Sequence, residues 1–410
     1  MSGPLPGSAV RRIPSEAREP AAAPGLSLPS PAAARASFAL CAILGAIGFA
    51  VALAGGDTHR AWGAYLVNFV FWYGIAQGGV TVAAAFSLTQ GRWGGAGQYR
   101  LAEAFAGYLP VAFVLFWLLF FGRAALWPWV THPIAQKAAW LNTPFMFGRD
   151  GVAIAALSVL SLGFVKASRR ADVVAWAENP SGIELPPPII RRLAPAVAIS
   201  YAVVFTLVAV DLVMSMSPMW SSTLFGVSFF ATAFLNALCA MALTAVIGGR
   251  APAGGNRLAE PKFLHDLGKL VFGFSIFWVY LIFCQFIVIW YANIPRETFW
   301  VVPRVMRLPW GALGWTCFTL IWAIPFTVLM GAKPKQTPSI LGSVVTLIMA
   351  GIWLERYVLV TPSWSRFSIP FGWVDVAVTI GFFGVFGLCA MPGLAMLSGA
   401  IYSRQEASGR

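Results

Sequence analysis

Residues 270–291 read LVFGFSIFWVYLIFCQFIVIWY, and this stretch decides the fold. It holds no Asp, Glu, Lys or Arg, and at about 1.5 Å per residue a helix of this length crosses the roughly 30 Å hydrocarbon core of a bilayer. It lacks the two-residue alternation of a barrel strand, so in hydrocarbon its backbone groups are satisfied only as a helix. The same reading carried outward finds ten such runs, at about residues 36–54, 62–87, 103–121, 151–167, 194–214, 224–247, 265–291, 313–330, 339–360 and 376–398. A composition of 59% hydrophobic and 10% charged residues, with mean hydropathy +0.75, is incompatible with a soluble chain of 410 residues. The expected fold class is all-α: a polytopic membrane protein of about ten transmembrane helices.

The basic residues give the orientation. With the N-terminus on side A, the tail, alternate loops, C-terminus and adjoining helix ends at Lys166 and Lys269 hold 19 of the 28 Lys and Arg residues. Retention of positive loops in the cytoplasm places both termini there and side B in the periplasm, in a bacterial cytoplasmic membrane. The net charge of +13 is largely this bias, and it points to anionic lipid headgroups and not to nucleic acid. Residues 1–35, rich in Pro, Ala, Ser and Arg and free of aromatics, read as a disordered cytoplasmic arm. Residues 36–400 form the membrane domain and 401–410 a cytoplasmic tail.

Redox metals find few ligands here. Cys41, Cys239, Cys284, Cys317 and Cys389 lie one per helix with no CxxC pair, and read as small packing residues. The three histidines are His59, His132 and His265, and none forms a pair on facing spans as membrane b-type haem requires. The expectation is that this chain holds no metal and no cofactor of its own.

Tryptophan is biased toward side B, which takes twelve of the 18: Trp62, Trp127, Trp129, Trp140, Trp220, Trp290, Trp300, Trp310, Trp315, Trp353, Trp364 and Trp373. An interfacial belt accounts for part of this. The excess over side A, where only Trp93 and Trp176 fall, reads equally well as a docking surface in the loops 122–149 and 292–312.

Charge inside hydrocarbon is costly and is retained for pairing or function. Between Leu193 and Gly249 the only charged side chain is Asp211. It reads either as a carboxylate paired with Arg or as a proton-relay acid, with Arg123, Arg149 and Arg356 as the partners to consider. His265, Asp266 and Lys269 share one helical face at the side-A mouth of the seventh span. There they either fix the helix depth by snorkelling or open a proton entry. Glu103, Asp150 and Glu355 are further candidates for a proton path, and Asn68, Gln77, Tyr280 and Gln285 for lining a polar path or a quinone site.

Three segments carry a resemblance. HDLGKLVFGFSIFWVYLIFCQFIVIWYANIP (His265 to Pro295), DLVMSMSPMWSSTLFG (Asp211 to Gly226) and VNFVFWYGIAQGG (Val67 to Gly79) resemble the polysulfide-reductase-like, NrfD-type membrane proteins. Within that family the chain is similar to the smaller of the two quinol-oxidoreductase subunits of alternative complex III. The resemblance implies two four-helix bundles, spans two to five and six to nine, flanked by the first and last helices. It implies quinol or quinone in the complex, with haem c and iron–sulfur clusters on partner subunits. The partners implied are a larger NrfD-like sister subunit, a periplasmic iron–sulfur subunit, multihaem and monohaem cytochromes c, and a terminal oxidase, all in membrane lipid. Relatives often place His after the proline of the STLFG turn; here Met219 follows Pro218. The resulting expectation is a subunit of a respiratory quinol:cytochrome c oxidoreductase that supports quinol oxidation and proton translocation. The competing readings are a stand-alone proton-coupled secondary transporter and a structural membrane anchor.

Overall fold

The computed structural model describes residues 31–179, 184–248 and 260–408, the side chains of 396–408 excepted. Ten helices in it are long and apolar enough to cross a membrane. In chain order these are α1 (Pro31–Ala54), α2 (Thr58–Leu88), α3 (Gly95–Leu118), α4 (Thr143–Ser168) and α5 (Pro188–Met216), then α6 (Phe225–Gly248), α7 (Pro261–Ala292), α8 (Trp310–Val328), α9 (Pro338–Ser363) and α10 (Trp373–Ala395). Among the described residues there is no strand. The chain is an all-α, multi-pass membrane protein.

Two boundaries differ from the sequence reading. Residues 1–30 of the expected arm lie outside the described residues, but 31–35 are already helix. Pro31 opens α1, and proline suits a first turn whose N–H has no helical partner. At the other end, helix continues to Ser408, through most of the segment assigned to a tail.

Helix α2 packs against α3, α4 and α5 in one group, while α6 packs against α7 and α9, and α8 against α9, in a second. The two groups meet along α2 and α6, and α1 lies against α10. Nearly every residue of α2 from Ala61 to Ser87 is buried. Lipid tails are as apolar as leucine, so such seams are held by close packing of small residues and not by hydrophobicity. A Cβ built on Gly78 would stand 2.9 Å from both the Ala233 carbonyl oxygen and Ala237 Cβ, so glycine sets the α2–α6 approach. Gly45 and Gly381 play the same part between α1 and α10, where a methyl at Gly45 would overlap the Gly381 backbone.

The side-B tryptophans divide by burial. Trp62, Trp127, Trp129, Trp220, Trp300 and Trp310 are buried, whereas Trp140, Trp290, Trp315 and Trp373 are exposed. Trp127 donates its indole N–H to the Leu212 carbonyl at 3.2 Å. Trp220 and Trp300 stack face to face at 3.8 Å, and Trp310 donates to the Ser365 carbonyl at 2.9 Å. Much of the aromatic excess therefore staples the side-B loops onto the bundle ends. An indole is at home in either setting, because its ring is apolar and its N–H needs one acceptor.

A candidate proton path in the first bundle

Asp211 sits where α5 widens into a π-turn over Ala209–Val213. Such turns admit one extra residue and recur at functional sites. The side chain is fully buried: its Oδ2 meets Arg149 Nη2 at 2.5 Å, and its Oδ1 accepts the Trp140 indole N–H at 2.9 Å. Arg149 lies in the second turn of α4, with its guanidinium 3.7 Å over the Trp140 ring and 4.6 Å over that of Phe145. The next residue, Asp150, is also fully buried and brings Oδ1 to 3.6 Å from Arg149 Nε. One guanidinium thus faces two carboxyl groups. In a site nearly closed to water, that cluster is electrically balanced when the two acids together hold one proton. Its covering residue, Trp140, is 46% exposed, so the cluster lies just beneath the side-B surface.

The same helix carries polar groups toward side A. Eleven and eighteen residues are close to whole numbers of turns, so Asp150, Ser161 and Ser168 fall on one line of α4. From Asp150 to Ser168 that line is about 27 Å long, against a hydrocarbon core of about 30 Å. Midway, Ser161 Oγ accepts from Gln77 Nε2 of α2 at 2.7 Å, which leaves the hydroxyl proton free to be donated onward. At the side-A end, Arg100 donates to Ser168 Oγ at 3.2 Å and to its carbonyl at 3.1 Å, and pairs with Glu103 Oε2 at 3.1 Å. Glu103 ends the first, regular segment of α3. The 3₁₀ turn Ala106–Tyr108 follows, ahead of Pro110, whose missing N–H cannot continue the helical ladder. Glu103 is buried with one oxygen unpaired by any described residue, as are Ser158 Oγ and Gln77 Oε1. Buried groups of this kind take water as partner. Along α4 the gaps are about 16 Å from Asp150 to Ser161 and about 10 Å from Ser161 to Ser168, so a proton crosses both only through several ordered waters.

Of the expected partners of Asp211, Arg149 is the one in contact. Arg123 instead donates to the Phe120 carbonyl at 2.7 Å and lies over that ring. Arg356 belongs to the second bundle, where it bonds the Phe229 carbonyl at 3.2 Å and stands 3.7 Å from Glu355. Glu355 also accepts the Trp278 indole N–H at 2.9 Å. His265, Asp266 and Lys269 are in the second bundle too, on α7, and do not continue the line from Asp211. Asp266 and Lys269 pair at 2.6 Å with Lys269 56% exposed, a surface ion pair of about 0–1 kcal/mol. Asn68 bonds the Ala64 carbonyl, Thr379 and Trp353, which ties α2 to α10 and α9. Gln285 bonds Ser228 of α6, Tyr280 is 57% exposed on α7, and both line a cavity between α7 and α8 apart from the line through Asp211.

Sequence reading missed Arg100, Ser161 and Ser168. The available signal was their spacing: Ser161 and Ser168 repeat the phase of Asp150 along α4, and Arg100 stands three residues before Glu103. Among the described residues no three His, Cys, Asp or Glu side chains gather as a metal site would require. No protein-family model matches the chain, and no curated protein matches it.

Proposed function

We propose that this chain is a membrane subunit of a respiratory quinol-oxidising oxidoreductase of the NrfD type, similar to the smaller such subunit of alternative complex III. In that role its first bundle carries protons. The observation that supports this reading most is the cluster Asp211, Arg149 and Asp150 at a π-turn, in line along α4 with Ser161, Gln77 and the Glu103–Arg100 pair. A bare proton in hydrocarbon is prohibitively unfavourable, so conduction needs groups that bind and release it in turn. Glu103 takes up a proton at the side-A end, Ser161, oriented by Gln77, hands it across the middle through water, and Asp150 and Asp211 hold it at the side-B end. Electron transfer falls to haem c and iron–sulfur partners on side B, the periplasmic face in this reading, with a larger sister subunit as the better candidate for oxidising quinol. Both termini are then cytoplasmic, as the basic-residue bias requires.

The reading is tested by tagging the chain in its native host and purifying it in mild detergent. The expected result is copurification of c-type haem with quinol-dependent reduction of a high-potential acceptor. Recovery of the chain alone, free of haem partners and active in solute uptake, would favour a transporter instead.

A further inference from the structure

A cavity of about 1010 Å³ lies outside the polar line, between α7, the short helix Pro295–Val305, α8 and the side-B end of α9. It stands at the upper end of the size range of ligand sites. Its walls are mostly apolar, and Tyr280 and Trp315, each 57% exposed, border it on the outer surface, so it opens toward lipid. Along α7 the lining runs from Ile276 to Ile289. That is about 20 Å, somewhat more than one leaflet of hydrocarbon at about 15 Å.

Two arginines, Arg304 and Arg307, line this groove, as does the buried carboxyl of Glu355, which stands 3.7 Å from Arg356. Arg304 is 6% exposed, yet no carboxylate among the described residues comes within ion-pair distance of it. Its guanidinium lies over Trp300 at 3.9 Å and donates to the carbonyls of Trp300, Val358 and Leu359. Those three bonds leave two of its five N–H groups free and the cation without an anionic partner. Burial, with Arg366 nearby, pushes the group down to about 9, so it is still cationic at neutral pH. Arg307 lines the same groove and is exposed. A buried cation without a counter-ion is costly in a membrane, which favours an anionic ligand beside it.

We propose that this groove is a binding site for an anionic phospholipid, its phosphodiester held by Arg304 and Arg307 and an acyl chain lying along α7 and α8. The apolar length separates this ligand from a free phosphate, and the cation without an anionic partner separates it from a neutral lipid.

The full-length chain is reconstituted into nanodiscs of mixed phosphatidylglycerol and phosphatidylcholine, released into detergent, and its retained lipid measured by native mass spectrometry. One phosphatidylglycerol per chain is expected, in preference to phosphatidylcholine by about tenfold. Arg307→Gln should reduce retention by about tenfold and Ala312→Trp, which fills the groove without changing charge, should abolish it. Neither residue holds the fold through a side-chain bond; Arg304→Lys, at the position that bonds the end of α9, should retain lipid partially. Equal retention of phosphatidylcholine, or unchanged retention in both Arg307→Gln and Ala312→Trp, would overturn the proposal. So would displacement of the lipid by millimolar inorganic phosphate, which would mark a site for the free anion, or a quinone found in its place.

Discussion

In the quinol-oxidising complex proposed above, Asp211→Asn is expected to preserve haem content and assembly while lowering coupled proton transfer at least tenfold, a barrier increase of about 1.4 kcal/mol or more. The asparagine keeps the side-chain volume and an oxygen for the Trp140 indole N–H, now bonded to Asp211 Oδ1 at 2.9 Å. What changes is charge. With Asn at this position Arg149 faces Asp150 alone, and the pair is balanced when Asp150 is ionised, so the cluster no longer needs the extra proton that it would pass on. The measurement is proton release per electron in proteoliposomes. An unchanged ratio and turnover would reduce Asp211 to a structural partner of Arg149.

The second large effect concerns stability. Arg149→Ala leaves two fully buried carboxyl groups, Asp150 and Asp211, without their shared cation. Removing one partner of a buried ion pair costs about 3–5 kcal/mol, because the remaining charge stays in a low-dielectric site. A marked fall in melting temperature is expected for the purified chain. Adding Asp211→Asn to Arg149→Ala should recover part of that loss, since one of the two stranded acids is gone. Residues in one network show coupling of about 0.5–3 kcal/mol. Strict additivity in the double-mutant cycle would show that the three side chains do not act as a unit.

The ten helices were legible because a bilayer imposes one strong rule, about 20 apolar residues per crossing, and each run obeys it. Asp211 was legible for the complementary reason: a lone charge in a long apolar sequence stands out, and Arg149 was among the three cations near enough in topology to meet it. The rest of the line was not. Gln77 and Ser161 are 84 residues apart, and their meeting depends on how α2 and α4 are rotated against each other, which no periodicity within either helix reports. Arg100 and Glu103 form an i,i+3 pair that looks the same in a sequence whether exposed or buried; in the fold Glu103 is buried and Arg100 reaches across to Ser168 of α4. The converse limit shows at His265, Asp266 and Lys269. Their shared face was read correctly, but a shared face does not say which bundle the helix joins, and α7 joins the second. The side-B tryptophans were ambiguous in the same way, because an indole satisfies a headgroup layer and a loop staple equally well.

The most direct test of a proton path confined to the first bundle compares Glu103→Gln with Asp266→Asn in the same reconstituted complex. Both acids lie toward side A, but Glu103 ends the line through Ser168 and Ser161 while Asp266 pairs with an exposed lysine on α7. Proton translocation per electron is measured for each against the unmodified complex. The expected result is a loss of about tenfold or more in Glu103→Gln and a wild-type ratio in Asp266→Asn. A wild-type ratio in Glu103→Gln together with a loss in Asp266→Asn would contradict the path and place the side-A opening in the second bundle.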